Sequence, residues 1–403
     1  RESLETIRRA CARRRAGLCR WVLVGGCLAQ REGRALAREL PEVSAFFGLD
    51  QLDQVGSLIR RLAAGEARIQ AIGARVERLF DPRADRLVFT GGPYAFVKIA
   101  EGCDHRCGFC SIPLFRGRYR SRSISAIVRE CEGLLEHGVR ELNLIAQDVT
   151  AYGSDRTRGG RLCALLRSLG RLGRGFWIRL LYAYPTGIDP ALLDTMGEVA
   201  QVCRYLDVPI QHSHPEILRA MGRGETVGPI EALSGRIRAA LPGAVVRTTC
   251  LVGYPGETAA HFRQLADHLE AADFDHLGVF PFYPEAGTPA MRLSARRVSA
   301  RCTAERRRVL LRAQQRRVWA RARAAIGEPT RLLLEKPDGR PGGWLARSAG
   351  QAPEVDGWTR LGGVPGSARP GDFIDARWTG YDGYDRMARA TIADREKRRG
   401  VSR

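Results

Sequence analysis

From residue 94 onward the chain alternates short runs of β-branched, aromatic and aliphatic residues with longer stretches whose apolar positions recur at helical spacing. The short runs are 95–100, 141–146, 177–182, 205–210, 245–252 and 277–282, and helices are predicted near 125–137, 162–169, 191–199, 215–221, 229–241 and 257–272. Six strand and helix units in series predict a parallel sheet, open or partly closed as a barrel, because parallel neighbours need a long crossover between them. In such a sheet chemistry belongs at the C-terminal ends of the strands. Gln147 and Asp148 follow the second strand there, Tyr184 the third, Gln211 and His212 the fourth, Gly253 the fifth and Tyr283 the sixth.

Upstream, residues 1–16 read as a helix, 21–24 as a strand and 30–40 as a second helix closed by Pro41, with Gly25-Gly26-Cys27 between strand and helix. This is one step of a small α/β layer, and because the chain opens at Arg1 inside a helix, it reads as truncated. Residues 55–92 are arginine-rich and weakly periodic, ending in the turn residues Thr90-Gly91-Gly92-Pro93. Residues 306–325 form a basic helix with apolar positions at Val309, Leu310, Leu311, Val318 and Trp319. Beyond Gly327, short β runs at 330–334, 344–346 and 373–378, broken by glycine and proline, predict a small barrel. The expected division is a truncated α/β domain over 1–55, a linker over 56–92, a core over 93–325, a β-barrel over 326–395 and a basic tail over 396–403.

Composition changes this picture little. With 403 residues, 44% hydrophobic and 27% charged, the chain is globular and long enough for two or three domains of about 150 residues. No stretch approaches the roughly 18 apolar residues of a membrane span and no signal peptide is evident, so the default compartment is the cytosol. Eleven cysteines, odd in number and irregular in spacing except at one place, point to a cluster or catalytic use rather than disulfides. The net charge of +21 invites a nucleic-acid partner, although only three of the 65 basic residues are lysine, a compositional bias toward arginine that accounts for part of the excess.

The exceptional spacing lies directly after the first strand of the repeating unit, where Cys103, Cys107 and Cys110 form C-x3-C-x2-C. Three thiolates on one loop can hold three irons of a 4Fe-4S cluster and leave the fourth without a protein ligand. An open iron can chelate a substrate. The alternative is a structural zinc site with His105 as fourth ligand, although zinc sites are usually built from paired C-x2-C units.

The motif, with Phe109 before the last cysteine, resembles that of radical S-adenosylmethionine enzymes. Val97 to Arg118, Leu144 to Gly153, Leu206 to His212 and Arg247 to Thr258 resemble successive signatures of the methylthiotransferases among them. The resemblance implies an α/β fold class: a partial (β/α)6 radical-SAM barrel between an N-terminal α/β domain and a small TRAM-like β-barrel. It implies two 4Fe-4S clusters and S-adenosylmethionine as cofactors. Cys103, Cys107 and Cys110 match the radical-generating cluster, and Cys27 the last ligand of an auxiliary cluster. The two other auxiliary ligands precede the part resembled by residues 1–16, so that cluster is expected to be incomplete in this chain. Cys11, Cys19, Cys131, Cys163, Cys203, Cys250 and Cys302 read as buried small hydrophobes. Phe109, Gln147, Asp148, Gln211, His212, Gly253 and Gly256 lie where S-adenosylmethionine would bind, and no catalytic residue is expected beyond the cofactors.

The family divides by substrate. One branch modifies an adenosine beside the tRNA anticodon, the other an aspartate of small-subunit ribosomal protein twelve. Residues 326–395 carry ten basic and ten acidic side chains, whereas a barrel that grips tRNA should be positive. The run from Arg347 to Gly357 and the ending Tyr381 to Asp385 resemble the ribosomal-protein branch. The expected partners are therefore that ribosomal protein and an electron donor such as flavodoxin or ferredoxin, with a tRNA methylthiotransferase as the alternative and a zinc-stabilised RNA-binding protein as the alternative of another class.

Overall fold

The computed structural model describes residues 2–79, 88, 91–156 and 161–391. Its N-terminal layer is a parallel sheet of β1 (Leu23–Gly25), β2 (Ala45–Phe47) and β3 (Ile69–Ala71), packed by α1 (Glu2–Arg15), α2 (Cys27–Glu39) and α3 (Val55–Ala63). Two of these elements, α3 and β3, fall inside the stretch expected to be a linker. Arginines dilute the pattern there, yet Leu58 and Leu62 suffice to seal α3 against Ala45 and Phe47. The end of that stretch, 80–87 and 89–90, and the predicted basic tail at 396–403 lie outside the described residues.

The central sheet has six parallel strands: β4 (Tyr94–Lys98), β7 (Glu141–Ile145), β8 (Trp177–Leu181), β9 (Val202–Asp207), β10 (Val245–Val252) and β11 (His276–Pro281). The pair β5 (Ala100–Glu101) and β6 (Arg120–Ser121) forms a separate antiparallel ribbon. Spatial order follows chain order, from β4 at one edge to β11 at the other, so the sheet winds in one direction as an open partial barrel. Crossovers are α4 (Ile112–Arg116) and α5 (Ile124–Glu136), then α6 (Leu162–Gly170), α7 (Pro190–Glu198), α8 (Pro215–Ala220), α9 (Val227–Glu231), α10 (Leu233–Ala240) and α11 (Ala259–Ala272). The helix expected over 229–241 is two helices with a break at Ala232. The fourth strand ends three residues earlier than expected, before Pro209, which has no N–H for a sheet ladder. Among the described residues no helix is long and apolar enough to cross a membrane.

After β11, α12 (Ala300–Ala324) crosses the sheet edge. Its buried stripe is Thr303, Arg306, Leu310 and Gln314, while Val309 and Trp319 are exposed. The stripe is polar because it satisfies the sheet's ends: Gln314 donates to the carbonyls of Phe274 and Asp275 at 3.1 and 2.9 Å.

The chain ends in a closed barrel of β12 (Pro329–Pro337), β13 (Trp344–Ser348), β14 (Thr359–Gly362), β15 (Phe373–Asp382) and β16 (Asp385–Ala390), filled by Leu332, Leu334, Trp344 and Leu361. One barrel loop plugs the central sheet from its N-terminal end. Arg179 donates to Glu141 and to the Ala349 carbonyl, both at 2.7 Å. Fully buried Arg347 reaches Glu141 at 2.5 Å and also pairs with Glu335. Tyr205 and Arg247 hold the Asp356 carboxylate at 2.6 and 2.8 Å, and Tyr94 donates to Glu354 at 2.8 Å. Much of the run that resembles the ribosomal-protein branch, Ala352 and Asp356 included, is thus spent on joining the barrel to the sheet.

Candidate active site

The three cysteines sit on the loop between β5 and α4, at the end of the sheet opposite the barrel. The loop is held at both flanks by backbone contacts that tolerate no side chain. Gly102 has φ +83, and a Cβ there would lie 2.1 Å from the Arg118 carbonyl oxygen. Next to it the Cys103 N–H donates to the Gly117 carbonyl at 3.2 Å, and Asp104 accepts the Tyr119 N–H at 3.1 Å. On the other flank the Gly108 N–H donates to Met221 at 2.7 Å and its carbonyl accepts from Ala290 at 2.8 Å. A Cβ on Gly108 would lie 2.8 Å from the Tyr254 hydroxyl. Phe109 anchors this flank among Ile217, Met221, Tyr254 and Ala290.

His105 completes the clamp. Its Nε2 lies 2.7 Å from Asp148 Oδ2, and its ring stacks on Tyr184 with centroids 3.7 Å apart. Asp148 uses its other oxygen on the Thr150 N–H and hydroxyl, at 2.9 and 2.5 Å. Arg223 covers Tyr184 at 4.3 Å and points Nη1 at Cys107 Sγ, 3.8 Å away. Tyr184 is legible only from its place after the third strand, and Arg223, more than a hundred residues from the cysteines, is announced by no local spacing. Burial pushes the Cys103 thiol up to about 12 and raises those of Cys107 and Cys110, with Arg223 opposing the rise at Cys107. A metal centre binding here must displace their protons.

The donor set fits a cluster better than a single ion. Tetrahedral zinc with bonds of about 2.3 Å holds its sulfurs about 3.8 Å apart, whereas a cubane takes each thiolate at a separate iron. Among the described residues the only three His, Cys, Asp or Glu ligand atoms all within 4.8 Å of one another belong to His214, Glu216 and His261, so the three thiols are spread wider. His105, the expected zinc ligand, is committed to Asp148 and Tyr184. In the His214 trio, both histidines use Nδ1 to accept backbone N–H groups, which puts the proton of each neutral ring on the Nε2 that a metal would need.

Residues 97–269 match the Radical SAM superfamily and residues 326–391 the TRAM domain. A ribosomal protein uS12 methylthiotransferase RimO from Synechococcus sp. (strain JA-2-3B'a(2-13)) is 41% identical over 372 residues, spanning 92% of this chain and 77% of its own. The RimO of Syntrophus aciditrophicus is 41% identical over 390 residues, spanning 96% of this chain and 86% of its own. The chain belongs to the RimO family. It is a radical S-adenosylmethionine methylthiotransferase, and its cofactors are the 4Fe-4S cluster and S-adenosylmethionine of that chemistry.

Against this family background the remaining expected residues separate into two groups. Cys27 begins α2 and comes close to the cysteine loop: Arg116 donates to its Sγ at 2.9 Å and pairs with Glu101, two residues before Cys103. Gln147, after β7, has a buried Oε1 with no partner among the described residues. Gln211 holds φ +67 and bridges to Cys250, so its backbone turns sharply where β9 gives way to α8.

The other expected cofactor contacts also have roles in the fold. The missing Cβ of Gly253 makes room for Thr303 of α12, 2.4 Å from where a Cβ would lie. Gly256, at φ +86, donates its N–H to Arg296 at 3.1 Å. His212 is fully buried, with Nδ1 accepting from the His214 N–H at 2.9 Å and Nε2 without a partner among the described residues. Burial, reinforced by His214, His261, Arg306 and His268, pushes its pKa down to about 3, so it is a neutral ring facing the α11 and α12 side. Asp148 likewise acts on the loop through His105. Cys11, Cys131, Cys203 and Cys250 are buried, while Cys19, Cys163 and Cys302 are partly exposed.

Proposed function

We propose that Cys103, Cys107 and Cys110 hold the 4Fe-4S cluster through three irons and that the target is an aspartate of ribosomal protein uS12. The observation that carries the ligand assignment is the cysteine loop itself, whose three half-buried thiols are fixed on both flanks and are not all within 4.8 Å of one another. When bound, the cluster and S-adenosylmethionine supply the radical chemistry needed at an unactivated C–H bond, which acid–base side chains do not provide.

This chain's residues position and shield. Gly102 and Gly108 let the loop lie flat against Arg118 and Ala220–Met221, Phe109 and Tyr254 close its inner side to water, and His105 ties it to Asp148. Gln147 offers a buried acceptor for a donor on the bound cofactor. Cys27, as a ligand of an auxiliary cluster, faces the radical loop across Arg116. Electrons come from a small redox protein such as flavodoxin or ferredoxin, and the reaction is cytoplasmic.

The names of the relatives support uS12 as the substrate, and so does the electrically neutral barrel, which suits a basic protein better than tRNA. The test is anaerobic reconstitution followed by incubation with isolated uS12 and with tRNA. Mass spectrometry should find any added methylthio mass on a uS12 aspartate. Modification of tRNA instead would overturn the substrate, and colourless protein retaining zinc would overturn the ligand assignment.

A further inference from the structure

Most of the charge excess lies outside the neutral barrel, and part of it converges on one cavity. A pocket of about 750 Å³ opens between α5 and α6, lined by Arg122, Arg156, Arg161, Arg167, Arg171 and Ser123 among others. Among the described residues no acidic side chain lines it. Two of the guanidinium groups have carboxylate partners: Arg122 pairs with Glu130 at 2.6 Å, and Arg167 with Glu198 at 2.9 Å on the surface. Arg156 spends its N–H groups on the Ser121 carbonyl, at 3.1 and 2.7 Å, which leaves its charge unneutralised. Among the described residues no carboxylate lies within ion-pair distance of Arg156, Arg161 or Arg171. The Tyr152 hydroxyl in the pocket wall feels Arg156, Arg161 and Arg122 together, opposed by the single carboxylate of Asp155, which is itself engaged by the Ser121 N–H and hydroxyl.

Position adds meaning to the charge. The pocket runs along α6 from its first turn to Arg171 at its C-cap, and its upper part, at the first turns of α5 and α6 that follow the C-terminal ends of the central strands, is on the same end of the sheet as the cysteine loop. Helix N-termini carry partial positive charge and add to the attraction for anions. Planar guanidinium groups suit phosphate oxygens, which they bind through paired N–H donors.

We propose that this pocket binds phosphates of an RNA backbone, anchoring the enzyme beside its target. The proposal rests on the arginines alone and not on the choice of uS12, although a ribosomal protein brings RNA with it. The test uses the full chain, reconstituted anaerobically, with a fluorescent single-stranded RNA and anisotropy read across a salt series. Arg161→Gln with Arg171→Gln should weaken binding about tenfold and flatten the slope of log K against log salt by about 1.4, two phosphate contacts' worth. Arg312→Gln with Arg316→Gln on exposed faces of α12 removes equal charge elsewhere and should leave affinity within about twofold. Unchanged thermal melts show that both variants fold.

Equal losses in the two double variants would mean diffuse attraction and overturn the proposal. So would a polyglutamate peptide that binds as tightly through the same arginines, or inorganic phosphate that displaces the RNA at matched phosphate concentration. Methylthiolation of isolated uS12 is read separately and should be the same in wild type and the Arg161/Arg171 variant, so failure of the substrate assignment stays distinct from failure of the RNA site.

Discussion

Replacing Gly102 by alanine should cost the enzyme its iron more than its fold. Two separable penalties meet at this position. An L-residue in the left-handed region costs roughly 1–2 kcal/mol. The added methyl would also sit 2.1 Å from the Arg118 carbonyl oxygen and 2.7 Å from that of Gly117, where even close carbon–oxygen contacts need about 3.3 Å. The loop must therefore retreat by about an ångström, and the Cys103 N–H, bonded to Gly117, retreats with it. Gly138→Ala isolates the first penalty, because Gly138 has φ +90 but nothing within 4 Å of a new Cβ. Urea unfolding should show a loss of about 1–2 kcal/mol for Gly138→Ala and about 2–4 for Gly102→Ala. Iron and acid-labile sulfide per chain after anaerobic reconstitution should fall only in Gly102→Ala. If Gly102→Ala takes up iron like wild type, or if Gly138→Ala loses it equally, the pinned-loop reasoning is wrong.

Other substitutions probe the supports. Arg347→Met strands the buried Glu335 carboxylate and leaves Glu141 to Arg179 alone, and should destabilise by about 3–5 kcal/mol in urea melts; adding Glu335→Leu should recover part of the loss. Arg116→Gln removes a cation shared by Cys27 and Glu101 and should cost about 1–3 kcal/mol, with a double-mutant cycle against Glu101→Gln giving a nonzero coupling. Asp207 supplies a pH dependence: burial first, then Asp356, lifts its pKa from the ordinary 3.8 to about 6 against the pull of Arg247. Because the folded state binds this proton more tightly, its contribution to stability is present below pH 3.8 and lost as pH rises through about 6. Urea midpoints from pH 4 to 7 should therefore show Asp207→Asn gaining on wild type as pH rises, and parallel curves would refute the assignment.

The cysteine loop was legible because its whole signal fits in eight residues and follows a strand. The six-strand sheet was legible because central strands such as 177–181 are buried along almost their whole length and read as short, largely apolar runs. What remained hidden depends on contacts remote in sequence. Gly253 reads as a glycine for close ligand approach, and only the folded chain shows that Thr303, fifty residues on, also needs the space a Cβ would take. Glu141 and Arg179 read as polar breaks in strands, and only the folded chain shows them answered by Arg347 and Ala349 of the barrel. In α3 two leucines carry the packing and the arginines face outward, so local composition pointed to a linker.

The barrel loop and the cysteine loop occupy opposite ends of strands about five residues long, a separation of some 16 Å. A side chain delivered to the thiols is therefore out of reach of the docking loop and of the barrel behind it. Whatever the barrel recognises belongs to the larger body that carries the target, and exchanging barrels between relatives should redirect the enzyme to a different particle while leaving the bond it attacks the same.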